Sequence, residues 1–192
     1  VEVLLQVAEF YQRARQFPEA EEALRAARSR DARSLRGLFQ LGAVLERQKR
    51  YDESEAVFRE ALGIEPDSAP ILNYLGYMNA DWNVKVEEAL TLIERALAAD
   101  PDNGSYLDSL AWALHRLGRN GEAETAVRKA IQSQDKNAVV LAHLGLILAA
   151  KGDQAEALKY LRLSLLGEDE DGDRDRALVD EKIRALSQAA QK

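Results

Sequence analysis

Apolar residues recur at spacings of three and four along most of the chain, with small residues between them. Leu38, Leu41 and Leu45 bracket Gly42. The same arrangement returns at Leu4, Val7, Ala8 and Tyr11, at Leu72, Leu75, Gly76 and Asn79, at Leu107, Leu110, Ala111 and Leu114, and at Leu141, Leu144, Gly145 and Leu148. That spacing lays one apolar stripe along a helix. A second stripe follows each after a short break: Ala20, Leu24 and Ala27; Ser54, Phe58 and Ala61; Ala89, Ile93 and Ala96; Ala123, Val127 and Ala130; Ala157, Leu161 and Ser164. Small side chains let two backbones approach, and large ones fill the space beside them, so the pattern predicts antiparallel helix pairs.

The pairs fall into one frame of five windows: 1–34, 35–68, 69–103, 104–137 and 138–171. Four of them hold 34 residues and the third 35, the additional residue falling in the turn at 81–85. Lys49-Arg50, Gly118-Arg119-Asn120 and Gly152-Asp153 mark other turns, and Pro66 and Pro101 close two of the second helices. A repeat of this length predicts an all-α, right-handed α-solenoid of five helical hairpins. Residues 172–192 read as an acidic linker and a capping helix, with Val179, Ile183, Leu186 and Ala190 inward and charged residues outward. The start shows no such cap. Val1, Val3, Leu4, Leu5 and Val7 leave an apolar end open, which suits further repeats before it, cover by another chain, or self-association. The chain begins inside a helix without an N-cap, so it reads as a fragment whose targeting signals would lie upstream of Val1.

Composition narrows the function. Net charge is −7, from 26 basic and 33 acidic residues, and no third of the chain is basic. Nucleic-acid binding therefore lacks its electrostatic footprint. There are no cysteines, which excludes disulfides, thiolate metal sites and a cysteine nucleophile. No apolar run reaches the length of a membrane span. His115 and His143 stand in different repeats, without a second metal ligand at helical spacing. Asp108 precedes His115 by seven residues, about 10 Å along a helix, too far to orient it. Phosphate-binding and nucleophile-elbow motifs are absent. Neither an enzyme activity, a cofactor nor a metal is expected. Asp169, Asp171, Asp173 and Asp180 have partial calcium-loop spacing, but Arg174 stands where such a loop needs Gly, so the segment reads as solvated linker. The cluster Arg25, Arg28, Arg30, Arg33 and Arg36 could meet an acidic partner or lipid. The structural reading is favoured, since Glu22 and Asp31 lie close by.

The columns resemble the tetratricopeptide repeat family, most cleanly at 35–68, across nearly the whole chain. Asn73-Tyr74-Leu75-Gly76-Tyr77 and Leu107-Asp108-Ser109-Leu110-Ala111-Trp112 look like bacterial members. The resemblance implies a concave face built by the first helix of each hairpin, with positions five, nine and twelve pointing into it. It therefore implies a partner-binding groove at Phe39, Asn73, Tyr77, Asp108, Trp112, His115, Arg116 and Leu146. Exposed aromatics beside polar groups suit capture of a peptide or helix of a partner protein. The competing reading of Tyr77 and Trp112 is packing against neighbouring helices. The family's carboxylate clamp and its asparagine ladder both lack their residues here. The implied function is a protein-interaction module. The alternatives are a non-catalytic arm of a larger enzyme or cell-envelope assembly, and self-association through the uncapped N-terminal end. Cytoplasm and cell envelope are both compatible.

Overall fold

The computed structural model describes residues 1–133, 137–166 and 173–189. Among them are eleven helices and no strand: α1 (Glu2–Arg13), α2 (Phe17–Arg30), α3 (Leu35–Arg47), α4 (Tyr51–Ile64), α5 (Ala69–Asp81), α6 (Val86–Ala99), α7 (Gly104–Arg116), α8 (Asn120–Ser133), α9 (Ala138–Lys151), α10 (Gln154–Ser164) and α11 (Asp173–Ala189). They stack as hairpins into an all-α solenoid with a linear core.

Local chemistry sets the helix ends. The Ser34 hydroxyl accepts from the Gly37 amide. Asn103 accepts from Ser105 and Tyr106, and Asn137 from Val139 and Val140. Each satisfies amides that the first turn leaves without partners. Pro66 and Pro101 stand two residues beyond the ends of α4 and α6. Every hairpin turn reverses through one left-handed residue in the same place: Arg15 (φ 57°), Lys49 (63°), Asn83 (55°), Gly118 (74°) and Gly152 (93°). The α5–α6 turn, residues 82–85, is one residue longer than the turns 14–16, 48–50 and 117–119. It takes a second left-handed residue, Lys85 (φ 48°), to close.

Hairpin closure depends on the small columns. A Cβ on Gly42 would lie 2.6 Å from the Phe58 ring; on Gly76 it would lie 2.6 Å from Ile93 and 2.9 Å from the Ala89 carbonyl oxygen. Ala20, Ala89, Ala123 and Ala157 are fully buried opposite. Ser54 takes that place in the second hairpin, and its hydroxyl donates to the Gly42 carbonyl at 2.7 Å. A polar atom in the core is thereby satisfied.

A polar ladder runs along the second helices. Arg59 reaches Glu88 at 2.8 Å, Arg128 reaches Glu156 at 3.0 Å, and Arg25 reaches Glu53 at 3.7 Å, each pair joining one hairpin to the next. Arg28 pairs with Glu60, and Arg36 with Glu2 and Glu9. Three members of the basic cluster at 25–36 thus serve the stack. At the junction of the third and fourth hairpins the equivalent residues are Glu94 and Glu122, which cannot pair.

At the far end α11 packs on α9 and α10 through Val179 and Leu186. With α11 packed on it α9 is largely buried, and its sequence Ala-Val-Val-Leu-Ala-His-Leu-Gly-Leu-Ile-Leu is apolar apart from His143. Among the described residues no helix is long and apolar enough to cross a membrane.

Gly76→Ala should lower unfolding free energy by about 1–3 kcal/mol, because the Ala89 backbone cannot move aside. Gly63→Ala, with no atom within 4 Å of its new methyl, should raise it by about 0.5–1 kcal/mol. Urea titrations of both variants check the contrast.

Candidate functional site

The first helices α1, α3, α5, α7 and α9 follow one another along the array, and their fifth, ninth, twelfth and thirteenth positions share one face. The residues expected to line a groove do meet there, but on different terms. Phe39 is half-buried and makes edge contacts with Phe58 and Tyr74, at centroid separations of 5.9 and 5.3 Å. Asn73 is half-buried, and its Oδ1 is sealed from solvent without a hydrogen-bond partner. Tyr77 and Leu146 are half-buried around Trp112. Arg116 is exposed. Its Nε donates to the Ala80 carbonyl at 3.1 Å, and its second terminal nitrogen to the Asp81 carbonyl at 2.7 Å. Arg116 thus ties the fourth hairpin to the carbonyl end of α5, where a cation also meets the negative end of the helix dipole.

Two expectations need correction. Trp112 is not an exposed groove aromatic: only 4% of it reaches solvent. His143 stacks on it at 4.2 Å and 15°, while the Arg116 guanidinium covers the ring at 4.8 Å from its centroid. Its Nε1 is sealed without an acceptor. Position nine aims the side chain at the inner face, but the next helix and a residue one turn on then close over it. Asp108 is likewise buried, at 6% exposure. Both its carboxylate oxygens lie 3.0 Å from His143 Nδ1. Sequence reasoning tested Asp108 against His115 on its own helix and missed this partner in the next repeat. The signal was an acid at position five facing a His at position six of the following hairpin.

His115 is half-buried, with Nδ1 2.6 Å from Asn120 Oδ1. Burial holds its pKa below the ordinary 6.5; the bond to Asn120 opposes this, and the charges of Arg116, His143 and Lys182 add to it.

The open part of this face lies nearer the first hairpin. Gln12, Arg13, Arg15, Phe17, Ala43, Arg47 and Tyr74 line a cleft of about 300 Å³. Three successive first helices contribute to it. Burial raises the Tyr74 phenol well above its ordinary pKa of 10, and nearby Glu46 reinforces the shift. The hydroxyl therefore stays a donor. The carboxylates close by are already engaged: Glu9 accepts from Arg36 at 2.6 Å and from Gln40 at 2.8 Å. Glu46 lies 3.8 Å from Arg47 Nε. Gln12 and Ala43 hold positions twelve and nine, but the arginines stand at positions thirteen and fifteen, so columns five, nine and twelve reveal only part of this cleft. Of the candidate calcium positions, Asp169 and Asp171 lie outside the described residues.

Comparison with known proteins agrees with the repeat pattern. A family model described as Tetratricopeptide repeat matches residues 8–69, 85–138 and 110–174. The chain is 35% identical over 108 residues to TPR repeat-containing protein PA4667 of Pseudomonas aeruginosa, covering 56% of this chain and 18% of that protein. It is 34% identical over 113 residues to human Tetratricopeptide repeat protein 7B, covering 59% of this chain and 13% of the other. The chain thus spans less than a fifth of either relative. Among solved structures, PilW, described as a widely conserved type IV pilus biogenesis factor, superposes with a TM-score of 0.82 at 22% identity, covering 99% of this chain and 87% of that one. At that identity the likeness concerns the fold.

The His115 shift has a sign that can be measured. Its folded pKa lies below the unfolded one, so the unfolded chain binds the proton more readily, and stability declines as pH falls below 6.5. Wild type should lose more unfolding free energy than His115→Gln between about pH 7.5 and about pH 5.5. Denaturant titrations at the two pH values give the difference, and equal losses would refute it.

Proposed function

Since the chain belongs to the tetratricopeptide repeat family, whose fold generally mediates protein–protein association, we propose that it is an interaction scaffold holding a segment of a partner protein against its concave face. The observation that carries this reading is the cleft at Gln12, Ala43 and Tyr74, built by three successive first helices and open to solvent. An apolar side chain of the partner enters over Phe17, Ala43 and Tyr74. The rest of the segment follows the face past Asn73 and Tyr77 towards His115, Arg116 and Leu146. In this reading Phe39, Asp108 and Trp112 support the face from below. The Trp112–His143 stack and the Asp108–His143 pair hold α7 and α9 in register, so that a ligand meets a preformed surface. The net charge of −7 argues against a nucleic-acid partner.

A second reading has its own observation. Val3, Val7 and Phe10 form one stripe on α1 and are 71%, 38% and 67% exposed. The residues at the same repeat positions of the second hairpin, Gly37, Leu41 and Val44, are buried, as are Ile71, Leu75 and Met78 in the third and Val140, Leu144 and Ile147 in the fifth. In those hairpins the positions lie inside the stack. The stripe on α1 is therefore a stacking face, and it suits association with another copy.

Ala43→Trp fills the cleft from a half-buried position. The variant should keep its helicity and thermal transition yet lose most binding to the peptides that wild type selects from a random-sequence array. Undiminished binding would move the site off this cleft. For the second reading, light scattering on a dilution series should show a mass that grows with concentration in wild type and stays monomeric in Phe10→Asp; a wild type that is monomeric throughout removes it.

A further inference from the structure

Arg13, Arg15 and Arg47 are exposed and share the rim of the cleft around Tyr74. We infer that this cleft takes an acidic segment of a partner protein, with carboxylates on the three guanidinium groups and a large apolar side chain on Phe17, Ala43 and Tyr74. The inference rests on the concave-face reading and adds the partner's charge.

The arginines of this chain are mostly spoken for. Arg28, Arg36, Arg59 and Arg128 each reach a carboxylate in another repeat at 3.0 Å or less. Arg13 and Arg15 bridge to no carboxylate among the described residues. Of the acids near the cleft, Glu9 is held by Arg36 and Gln40 and feels the charge of Arg13, and Glu46 offsets one charge beside Arg47. The rim is left net positive on a chain whose total charge is −7. A guanidinium presents a planar fork that matches a carboxylate. Three of them at one rim select an acidic segment over a neutral one and draw it in at low salt. At the floor the protonated Tyr74 hydroxyl offers a further donor. An apolar contact on Phe17 and Ala43 supplies burial that the ion pairs, exposed as they are, do not.

The geometry also supplies a clean deletion. Arg15 occupies the left-handed place in its turn that Gly118 and Gly152 occupy in the fourth and fifth hairpins. Arg15→Gly therefore removes a guanidinium while relieving the backbone, and the hairpin is expected to melt no lower than in wild type.

Peptides of random sequence spanning acidic, neutral and basic net charge are arrayed and probed with the full chain at low and high salt. The bound set should be enriched in Asp and Glu, and raising the salt should reduce that enrichment. For the best acidic peptide, fluorescence anisotropy should show about a two- to fivefold loss in Arg15→Gly and a larger one in Arg13→Gln/Arg15→Gly/Arg47→Gln, with thermal transitions retained. A bound set without acidic enrichment, no bound peptide, or full affinity in the triple variant would overturn the inference. So would equally tight binding of a single-stranded oligonucleotide of matched charge, which would mark a general polyanion surface. Ala43→Trp separates the two levels. If it abolishes binding while the arginine variants do not, the groove stands and the acidic preference falls. If it leaves binding intact, the groove reading itself falls.

Discussion

The array depends on the close approach of the two helices within each hairpin. At Gly42, Gly76 and Gly145 the partner helix's Phe58, Ile93 or Leu161 occupies the space a Cβ would need. Packing at this distance lets one large residue fill the gap left by one small one, so each hairpin is a fixed wedge. Stacking wedges of equal shape gives a regular solenoid, and regularity places the first helices side by side on one face. The inner face exists because the eighth column is small. Where Ala replaces Gly, at Ala8 and Ala111, the hairpin must accommodate one more methyl, yet both alanines remain fully buried. The column therefore constrains size rather than demanding glycine's conformational freedom.

The junction between the third and fourth hairpins departs from this regularity and explains what became of Trp112. Elsewhere an arginine on one second helix reaches a glutamate on the next. Here Glu94 and Glu122 stand in those places, and Arg119 answers both: it bridges to Glu122 at 2.6 Å and feels the charge of Glu94. Cohesion has moved to the first helices. Arg116 bonds two carbonyls at the end of α5, and Trp112 fills the space with Tyr77 and Leu146 beneath it. The aromatic column that promised recognition packs this junction instead. Its cost is visible as the unpartnered Trp112 Nε1.

The fold was legible because it is written in columns, and columns survive single departures. Asn79 in an apolar column is 1% exposed with a sealed, unpartnered Nδ2, yet the hairpin around it closes normally. The additional residue in the third repeat likewise appears as a longer turn with Lys85 left-handed, not as a break in the stack. The site was less legible. A repeat position gives the direction of a Cβ, and exposure depends on what the neighbouring helix brings over it. Asp108 and Trp112 share the direction of groove residues, but His143 arrives from the next repeat and takes both. Conversely Arg13, Arg15 and Arg47 lie at the margins of the pattern, where long side chains reach round a helix end that periodicity does not describe.

The face is consequently asymmetric along its length. Towards the fifth hairpin it is shallower, because the Trp112 stack fills the junction before it. Towards the first hairpin small Ala43 sits between longer neighbours, and a cleft remains between three helices. The charge divides in the same way. Beside the cleft Arg36 is shared between Glu2 and Glu9, and Arg13, Arg15 and Arg47 outnumber Glu46 at its rim, whereas at the other end Arg116 and Lys182 act on His115. An extended segment laid along such a face meets depth and positive charge at one end and a shallow, aromatic-backed floor at the other. In the proposed reading the protein sets its direction of binding. A symmetric groove of five equal repeats could not fix that direction, so the departures from the repeat, more than the repeat itself, determine what the scaffold can recognise.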